Sequence, residues 1–257
     1  MDGMILAAGL GTRLLPLTEH LPKALVQVGG VTLLERTVAR LSQAGCDRIV
    51  INLHHHADLI VDFLKGVCPR PHDSTGDLEA PFSWHGAAIL LSREMEAPLD
   101  TGGGLKNAGG LFRGDRTLLV HNVDVLSGID LAVMAREHVR SGALATLAVN
   151  RRVASRYLVF DGSGLCGRVD TRDALEEWAR VPTEPHWRAG FTGIHALSPE
   201  ILGQVTEDGA FSIMKSYLRL AAAGAPILPF DVSGETWMDV GTPQRLEAAR
   251  LNWTDRG

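Results

Sequence analysis

Along this chain, short apolar runs alternate with stretches in which apolar residues recur every three or four positions. The runs 4–8, 48–53, 87–91, 117–122 and 145–149 are rich in Val, Ile, Leu and Ala and too short for helices, so they predict buried strands. Between the first two, Leu34, Val38 and Leu41 fall on one face of a helix over 33–44, with Thr32 placed to cap it and Gly45 to end it. Residues 58–65 and 131–140 predict two further amphipathic helices. Strands separated by helices predict an α/β protein with helices on both faces of the sheet.

After Asn150 the pattern changes. Residues 157–160 and 165–169 flank Asp161-Gly-Ser-Gly164 and predict a hairpin. The charged, proline-containing stretch 170–186 predicts a surface excursion, and 187–197 a strand that rejoins the sheet. Helices are expected near Pro199 and over 213–223, and Thr242-Pro243 is a strong helix start. Residues 66–86, rich in Pro, Gly and Asp, predict an irregular insertion. The expected fold is a three-layer α/β/α arrangement, Rossmann-like, with a mixed, mostly parallel sheet and a small β-hairpin excursion. No linker or repeat interrupts it, so residues 1–257 are expected to form one domain of two halves, 1–125 and 126–257.

Composition narrows the function. The chain has 257 residues, 45% of them hydrophobic, and a net charge of −5. No apolar run approaches the roughly 18 residues of a membrane span, and no basic stretch precedes the N-terminal apolar run, so neither a membrane anchor nor a signal peptide is expected. The absence of a long basic block argues against a nucleic-acid partner. Cys46, Cys68 and Cys166 are odd in number and widely spaced, as expected for reduced thiols in a cytoplasmic protein.

The candidate chemistry is concentrated after the first strand. Ala7 and Ala8 lead into Gly9-Leu10-Gly11-Thr12, then Arg13, and two prolines, Pro16 and Pro22, brace the path to Lys23. Glycines let backbone N–H groups approach a ligand closely, and a guanidinium and an ammonium add charge; together these make a phosphate clamp. Two familiar glycine motifs do not fit. Leu14 stands where the dinucleotide fingerprint needs its third glycine, and the chain has no Gly-Lys pair for a Walker loop. Asp124 closely follows the strand 117–122, and Asp239 precedes the helix at Pro243. Two such carboxylates suit one Mg²⁺ bridging phosphate oxygens, although either acid alone reads as a helix or turn cap. The glycines of Asp100-Thr101-Gly102-Gly103-Gly104 predict a strand-to-helix loop where a flat group lies against bare backbone. His54-His55-His56 is read as structural or phosphate-neighbouring, because three adjacent imidazoles cannot all face one ion. Trp84, Trp178 and Trp187 are read as packing residues in or beside the variable segments.

The segment Gly9-x-Gly11-Thr12-Arg13-Leu14-x-Pro16-Leu17-Thr18-x-x-x-Pro22-Lys23-x-Leu25 resembles the N-terminal motif of the sugar-1-phosphate nucleotidylyltransferases. The resemblance covers nearly the whole chain, and its compact form is most similar to the N-acetylmuramate-1-phosphate uridylyltransferases. It implies that Ala7, Ala8, Gly9, Gly11 and Thr12 bind the nucleotide and that Thr101, Gly102 and Gly103 pack its base. It further implies that Asp124 and Asp239, the latter in Trp237-Met-Asp-Val-Gly-Thr242, hold Mg²⁺. Gly193, in Phe191-Thr-Gly-Ile194, matches the glycine that lets a sugar ring approach. The Glu-Lys-Pro segment with which many members grip the sugar phosphate has no counterpart here; Arg156 and Tyr157 are the expected substitutes, and Asn122 could reach a sugar hydroxyl.

The activity so implied joins a nucleoside triphosphate to a sugar 1-phosphate and releases pyrophosphate. UTP is favoured over CTP, dTTP and GTP; the sugar and the oligomeric state stay open. Arg13 and Lys23 would be the catalytic cations. Two alternatives remain at this point: a nucleotide-sugar-dependent glycosyltransferase, weakened because Asn122 stands where an Asp-x-Asp motif needs its first acid, and a non-catalytic nucleotide-sugar sensor, which need not have kept Arg13, Lys23 and both acids.

Overall fold

The computed structural model describes residues 1–68 and 81–253. Much of the expected 66–86 insertion, residues 69–80, lies outside them.

The first strand, β1 (Asp2–Leu6), leads through single 3₁₀ turns to a minute hairpin, β2 (Gln27–Val28) and β3 (Val31–Thr32). Helix α1 (Leu33–Gln43) follows, its first turn capped where the Thr32 hydroxyl accepts from Glu35 N–H at 3.1 Å; such a cap stabilises by about 1 kcal/mol. Next come β4 (Arg48–Leu53), α2 (Ala57–Val67), β5 (Phe82–Trp84), β6 (Ala87–Arg93), α3 (Asp100–Asn107) and β7 (Leu118–Asn122). Strands β6, β4, β1 and β7 lie side by side and parallel, in that order, the arrangement that delivers loops to a crevice beyond their carboxyl ends.

The second half adds β8 (Val125–Ser127), α4 (Leu131–Ser141), β9 (Ala145–Asn150), β10 (Arg156–Asp161), β11 (Gly164–Asp170), β12 (Leu175–Trp178) and β13 (Trp187–Leu197). They are followed by α5 (Ile213–Ala222), β14 (Ile227–Asp231), β15 (Trp237–Asp239) and α6 (Pro243–Asn252). Strand β13 runs antiparallel to β7 and to β9, so β9 points the same way as β1 and ends at the same edge of the sheet. The outcome is a mixed sheet with helices around it, as expected: its central strands β6, β4, β1 and β7 are parallel, while β13, the hairpin and β5 pair antiparallel. Apolar faces of α1 and α4 pack over one side of the strands, and Tyr217 and Leu220 of α5 over the other. No helix among the described residues is long and apolar enough to cross a membrane.

Three expectations change. The hairpin is three-stranded, because 175–178 in the supposed excursion pairs with β11. Near Pro199 only a 3₁₀ turn forms, Pro199–Gly203. The triglycine segment is not a loop: Gly102, Gly103 and Gly104 lie inside α3 and are buried. A glycine in a helix costs about 1 kcal/mol relative to alanine, but side chains would not fit here. A Cβ on Gly102 would run into the Phe211 ring, one on Gly103 into the Gly209 carbonyl oxygen, and one on Gly104 would lie 2.6 Å from Asn52 Nδ2. The bare helix face is used to approach the 209–213 segment and β4.

Two expected outcomes follow. Gly103→Ala destabilises the protein by about 1–3 kcal/mol, since the overlap with a backbone carbonyl outweighs the gain in helix propensity; urea denaturation showing equal or greater stability would contradict this packing. Burial holds the His121 and His195 imidazoles well below their ordinary value, at about 4 and about 3. Between pH 6.5 and 4 the unfolded chain therefore binds more protons at these two sites than the folded one, and stability falls as pH drops through that window. A thermal midpoint unchanged from pH 7 to pH 4.5 would show that they are not buried neutral.

Candidate active site

Leu6 stands beside Asn52 on one flank and Asn122 on the other, so the carboxyl ends of β4, β1 and β7 form one rim. Beyond it opens a cleft of about 460 Å³, lined by the loop 7–13, Lys23, Asn52, Glu94, Asp100, Thr101, Asn122, Asp124 and Gly241. The strand ahead of the loop ends at Leu6, two residues earlier than expected, which leaves the Ala7 and Ala8 N–H groups unused by the sheet. Asn52 takes them: its Oδ1 accepts from Ala7 N at 2.6 Å and Ala8 N at 3.3 Å. Its Nδ2 donates to Glu94 Oε1 at 2.7 Å, and Glu94 Oε2 accepts from Leu99 N at 2.7 Å. Both side chains are buried, at 2% and 4% exposure. One amide–carboxylate relay thus ties the first loop to the start of α3, in space that Gly104 leaves open.

Further along the loop, Gly11 is left-handed with φ 67°. The buried Thr18 hydroxyl donates to its carbonyl at 2.8 Å and closes the loop on itself. The residues after Gly11 form only isolated 3₁₀ turns, as the prolines require.

The charged residues converge. Lys23 Nζ is ion-paired with Asp124, and the two side chains are only 12% and 17% exposed. Strand β15 pairs with β8, and Val240 N–H donates to the Asp124 carbonyl at 2.9 Å, so Asp124, just before β8, lies next to the end of β15 that carries Asp239. A Cβ placed on Gly241 would lie 2.7 Å from Asp239 Oδ1, 2.9 Å from an Arg13 guanidinium nitrogen and 3.0 Å from Lys23 Nζ. Residues separated by more than two hundred positions therefore surround one point. Arg245, in the first turn of α6, donates to Asp239 Oδ2 at 2.9 Å. Among the described residues no three His, Cys, Asp or Glu groups gather as a ready metal cage. Asp124 and Asp239 do fit an ion that takes two carboxylates and completes its shell with water and phosphate oxygens.

Other expected residues divide. Gly9, Gly11, Thr12, Arg13, Lys23, Thr101, Asn122 and Asp124 all line the cleft. Gly102 and Gly103 do not; they are occupied in packing α3. Gly193 has φ 86° at a register shift in β13, and the space it leaves is filled by Asn122, whose Nδ2 would lie 2.7 Å from a Cβ there. Arg156 and Tyr157 do not come to the cleft. Arg156 is 80% exposed and donates to Asp170 Oδ2 at 2.7 Å, and the Tyr157 hydroxyl accepts from Ala154 N at 2.8 Å. Strand pairing explains this, because Arg156 faces Asp170 directly in the β10–β11 ladder. His54 and His56 anchor loops through the Glu94 and Glu19 carbonyls. Trp84 is buried against Phe63, and Trp187 packs on Phe160.

Asn52, Glu94 and Arg245 escaped the sequence reading. Asn52 ends an apolar strand, where a single amide gives no periodic signal. Glu94 looks like any exposed charge after a strand. Arg245 could have been suspected from its position three residues past a helix cap that follows an acid.

Comparison with known proteins gives the family and the fold. A family model described as nucleotidyl transferase matches residues 2–256. The chain is 33% identical over 264 residues to N-acetylmuramate alpha-1-phosphate uridylyltransferase of Caulobacter vibrioides, covering 96% of this chain and 94% of that protein. It is 31% identical over 248 residues to mannose-1-phosphate guanyltransferase of Debaryomyces hansenii, covering 95% of this chain but only 62% of that longer protein. Among solved structures, HddC from Yersinia pseudotuberculosis complexed with GMP-PN superposes with a TM-score of 0.70 at 22% identity, covering 97% of this chain and 98% of that one. A UDP-glucose pyrophosphorylase complexed with UDP-glucose superposes with a TM-score of 0.73 at 17% identity, covering 97% of each chain. The structural likenesses show the fold; the sequence matches show the family. With its N-terminal motif folded around a cleft where cations and carboxylates meet, the chain belongs to the nucleotidyl transferase family, among the sugar-1-phosphate nucleotidylyltransferases.

Proposed function

We propose that the chain condenses UTP with a sugar 1-phosphate, giving a UDP-sugar and pyrophosphate. The observation that carries this reading is the convergence of Arg13, Lys23, Asp124 and Asp239 around Gly241. In the reaction, an oxygen of the sugar phosphate attacks the α-phosphorus of the triphosphate in line. A bond forms there as the bond to the β-phosphate oxygen breaks, and pyrophosphate departs with that electron pair. The nucleophile is already an anion, so no general base is required. The barrier is the approach of two anions and the charge spreading at phosphorus, which positioned cations lower.

Each residue has a part in that task. Arg13 holds the β- and γ-phosphates, its planar fork suited to paired oxygens. Lys23 lies where the α-phosphoryl group and the attacking phosphate meet. Asn52 presets the Ala7–Ala8 backbone, and Gly9, Gly11 and Thr12 continue it past the nucleotide. Glu94 supplies buried acceptor oxygens in the cleft, and uracil offers a ring N–H donor to such a group. Thymine and guanine offer one too, so the preference for UTP rests on the similarity to the uridylyltransferase. Asp124 and Asp239 would hold Mg²⁺, which when bound supplies charge neutralisation across the phosphate oxygens. Lys23 pairs with Asp124 here, and a phosphate would draw the ammonium away from it.

A matrix of UTP, CTP, dTTP and GTP against N-acetylmuramate α-1-phosphate, mannose 1-phosphate and glucose 1-phosphate, read by pyrophosphate release with Mg²⁺, tests the reading. UTP is expected to give the highest kcat/KM with one of these acceptors; a larger value with GTP would overturn the choice of base. Chelation of divalent ions is expected to abolish turnover and added Mg²⁺ to restore it. Arg13→Ala and Lys23→Ala are each expected to lower turnover about 10²–10³-fold, the scale for deleting one positioned donor; an unchanged rate removes that residue from the mechanism. Asn52→Ala is expected to raise the KM for the triphosphate about tenfold with a smaller effect on the sugar phosphate, because it leaves the loop N–H groups and Glu94 without their buried partner.

A further inference from the structure

The acceptor side of the site lacks an assigned anchor, since Arg156 is committed to Asp170 on the exposed hairpin. Of the other arginines there, Arg172 and Arg188 are exposed at the surface and three more are committed to carboxylates. Arg180 donates to the buried Asp161, and Arg168 is paired with Glu177. Arg151 reaches Asp231 at 3.2 Å and stacks on Trp187. Arg152 differs: among the described residues it forms no ion pair, its Nε is buried without a hydrogen-bond partner, and its one hydrogen bond runs to the Phe191 carbonyl at 3.3 Å.

The structure holds this guanidinium in a slot. Its carbon lies 4.2 Å from the centroid of the Trp237 ring. Its other side faces the bare Cα of Gly190, where a Cβ would approach the guanidinium carbon to 3.1 Å. The Trp237 ring is itself fixed, its Nε1 donating to the Thr192 carbonyl at 3.0 Å, and it stands two residues before Asp239. Arg152 emerges two residues beyond the carboxyl end of β9, at the same edge of the sheet as Asn52 and Asn122. A flat cation is thus immobilised against a ring two residues before Asp239, although, like Arg156, it is not among the residues that line the cleft.

Its electrostatic setting calls for an anion. Burial disfavours the charged form of Arg152, Arg245 repels it, and Asp239 attracts it. Asp239 already accepts from Arg245 and from Gly241 N–H, so it does not neutralise both guanidinium groups. Taken with Arg13 and Lys23, four cations face two carboxylates. A triphosphate spread along the first loop accounts for Arg13 and Lys23; the surplus near β15 has no counterpart on that side.

We propose that Arg152, seated between Trp237 and Gly190, binds the phosphate of the sugar 1-phosphate and fills the acceptor-anchoring role expected of Arg156. The assignment rests on the proposed nucleotidyl transfer and adds to it the residue that holds the second substrate. A guanidinium fork suits a terminal phosphate, which presents two oxygens in one plane.

The test measures both Michaelis constants with UTP and N-acetylmuramate α-1-phosphate for wild type, Arg152→Gln and Arg152→Lys. Arg152→Gln is expected to raise the acceptor KM about 10- to 100-fold, the loss of one charge-assisted bond, with the UTP KM within twofold of wild type. Arg152→Lys, which keeps the charge and loses the fork, is expected to fall between them, and it decides the matter if Arg152→Gln does not fold. An unchanged acceptor KM, or a parallel rise for UTP, overturns the assignment. If the wild type turns over none of the sugar phosphates, the functional reading fails by itself; titration of inorganic phosphate by calorimetry then reads Arg152 alone. Weaker phosphate binding by Arg152→Gln than by wild type upholds the anion site, and equal binding removes it.

Discussion

The site depends on a short antiparallel ladder of two three-residue strands, Val125–Ser127 and Trp237–Asp239. It lies outside the main sheet and fastens the segment between β7 and α4 to the segment leading into α6. Without it, Asp124 and Asp239 would stand on separate loops, and the Lys23–Asp124 pair would be uncoupled from the segment that carries Asp239. Carboxylates gathered in one region repel each other, at a cost that grows as water is excluded. The protein offsets that repulsion with its own cations, Lys23 on Asp124 and Arg245 on Asp239. Such pairing gives little net stability, because both partners surrender hydration. Its consequence is a cluster of charges that the fold itself holds in place.

The same economy shapes the loop that follows β1. Asn52 and Glu94 are deeply buried polar groups of a kind that costs stability unless every donor and acceptor is met. Here the Asn52 oxygen serves two loop N–H groups and its nitrogen serves Glu94, which in turn receives Leu99. This relay permits a glycine loop, poor in contacts of its own, to be held in shape by the adjoining strand. It also explains the triglycine helix. Gly104 leaves room for the relay, whereas Gly102 and Gly103 let α3 sit against 209–213, so Thr101 reaches the cleft and its hydroxyl accepts from Ile213 N–H at 3.0 Å.

Much of the fold was legible because hydrophobic period and punctuation agree. Thr32, the Leu34-Val38-Leu41 face and Gly45 specify α1 almost to the residue, and β4 and β13 match their predicted limits. What was hidden was set by tertiary context. Strand β14 contains Pro229, which argues against a central strand but is tolerated where only β9 is a partner. The triglycine run reads as a loop because propensity scales do not register the close approach that excludes a Cβ. In the site, Arg13, Lys23, Asp124 and Asp239 were legible from a long motif and from strand ends. Arg156 was misjudged because a hairpin register, invisible in the local sequence, pairs it with Asp170. The seating of Arg152 on a tryptophan 85 positions away likewise leaves no mark in spacing.

The most direct measurement is a crystal structure with Mg²⁺ and a non-hydrolysable UTP analogue. The account predicts the triphosphate beside Gly241, with the Arg13 guanidinium on its terminal phosphates and Lys23 Nζ parted from Asp124 to touch the α-phosphate. A nucleotide bound elsewhere, or one bound in the cleft with the Lys23–Asp124 pair intact and no phosphate within reach of either cation, would contradict it.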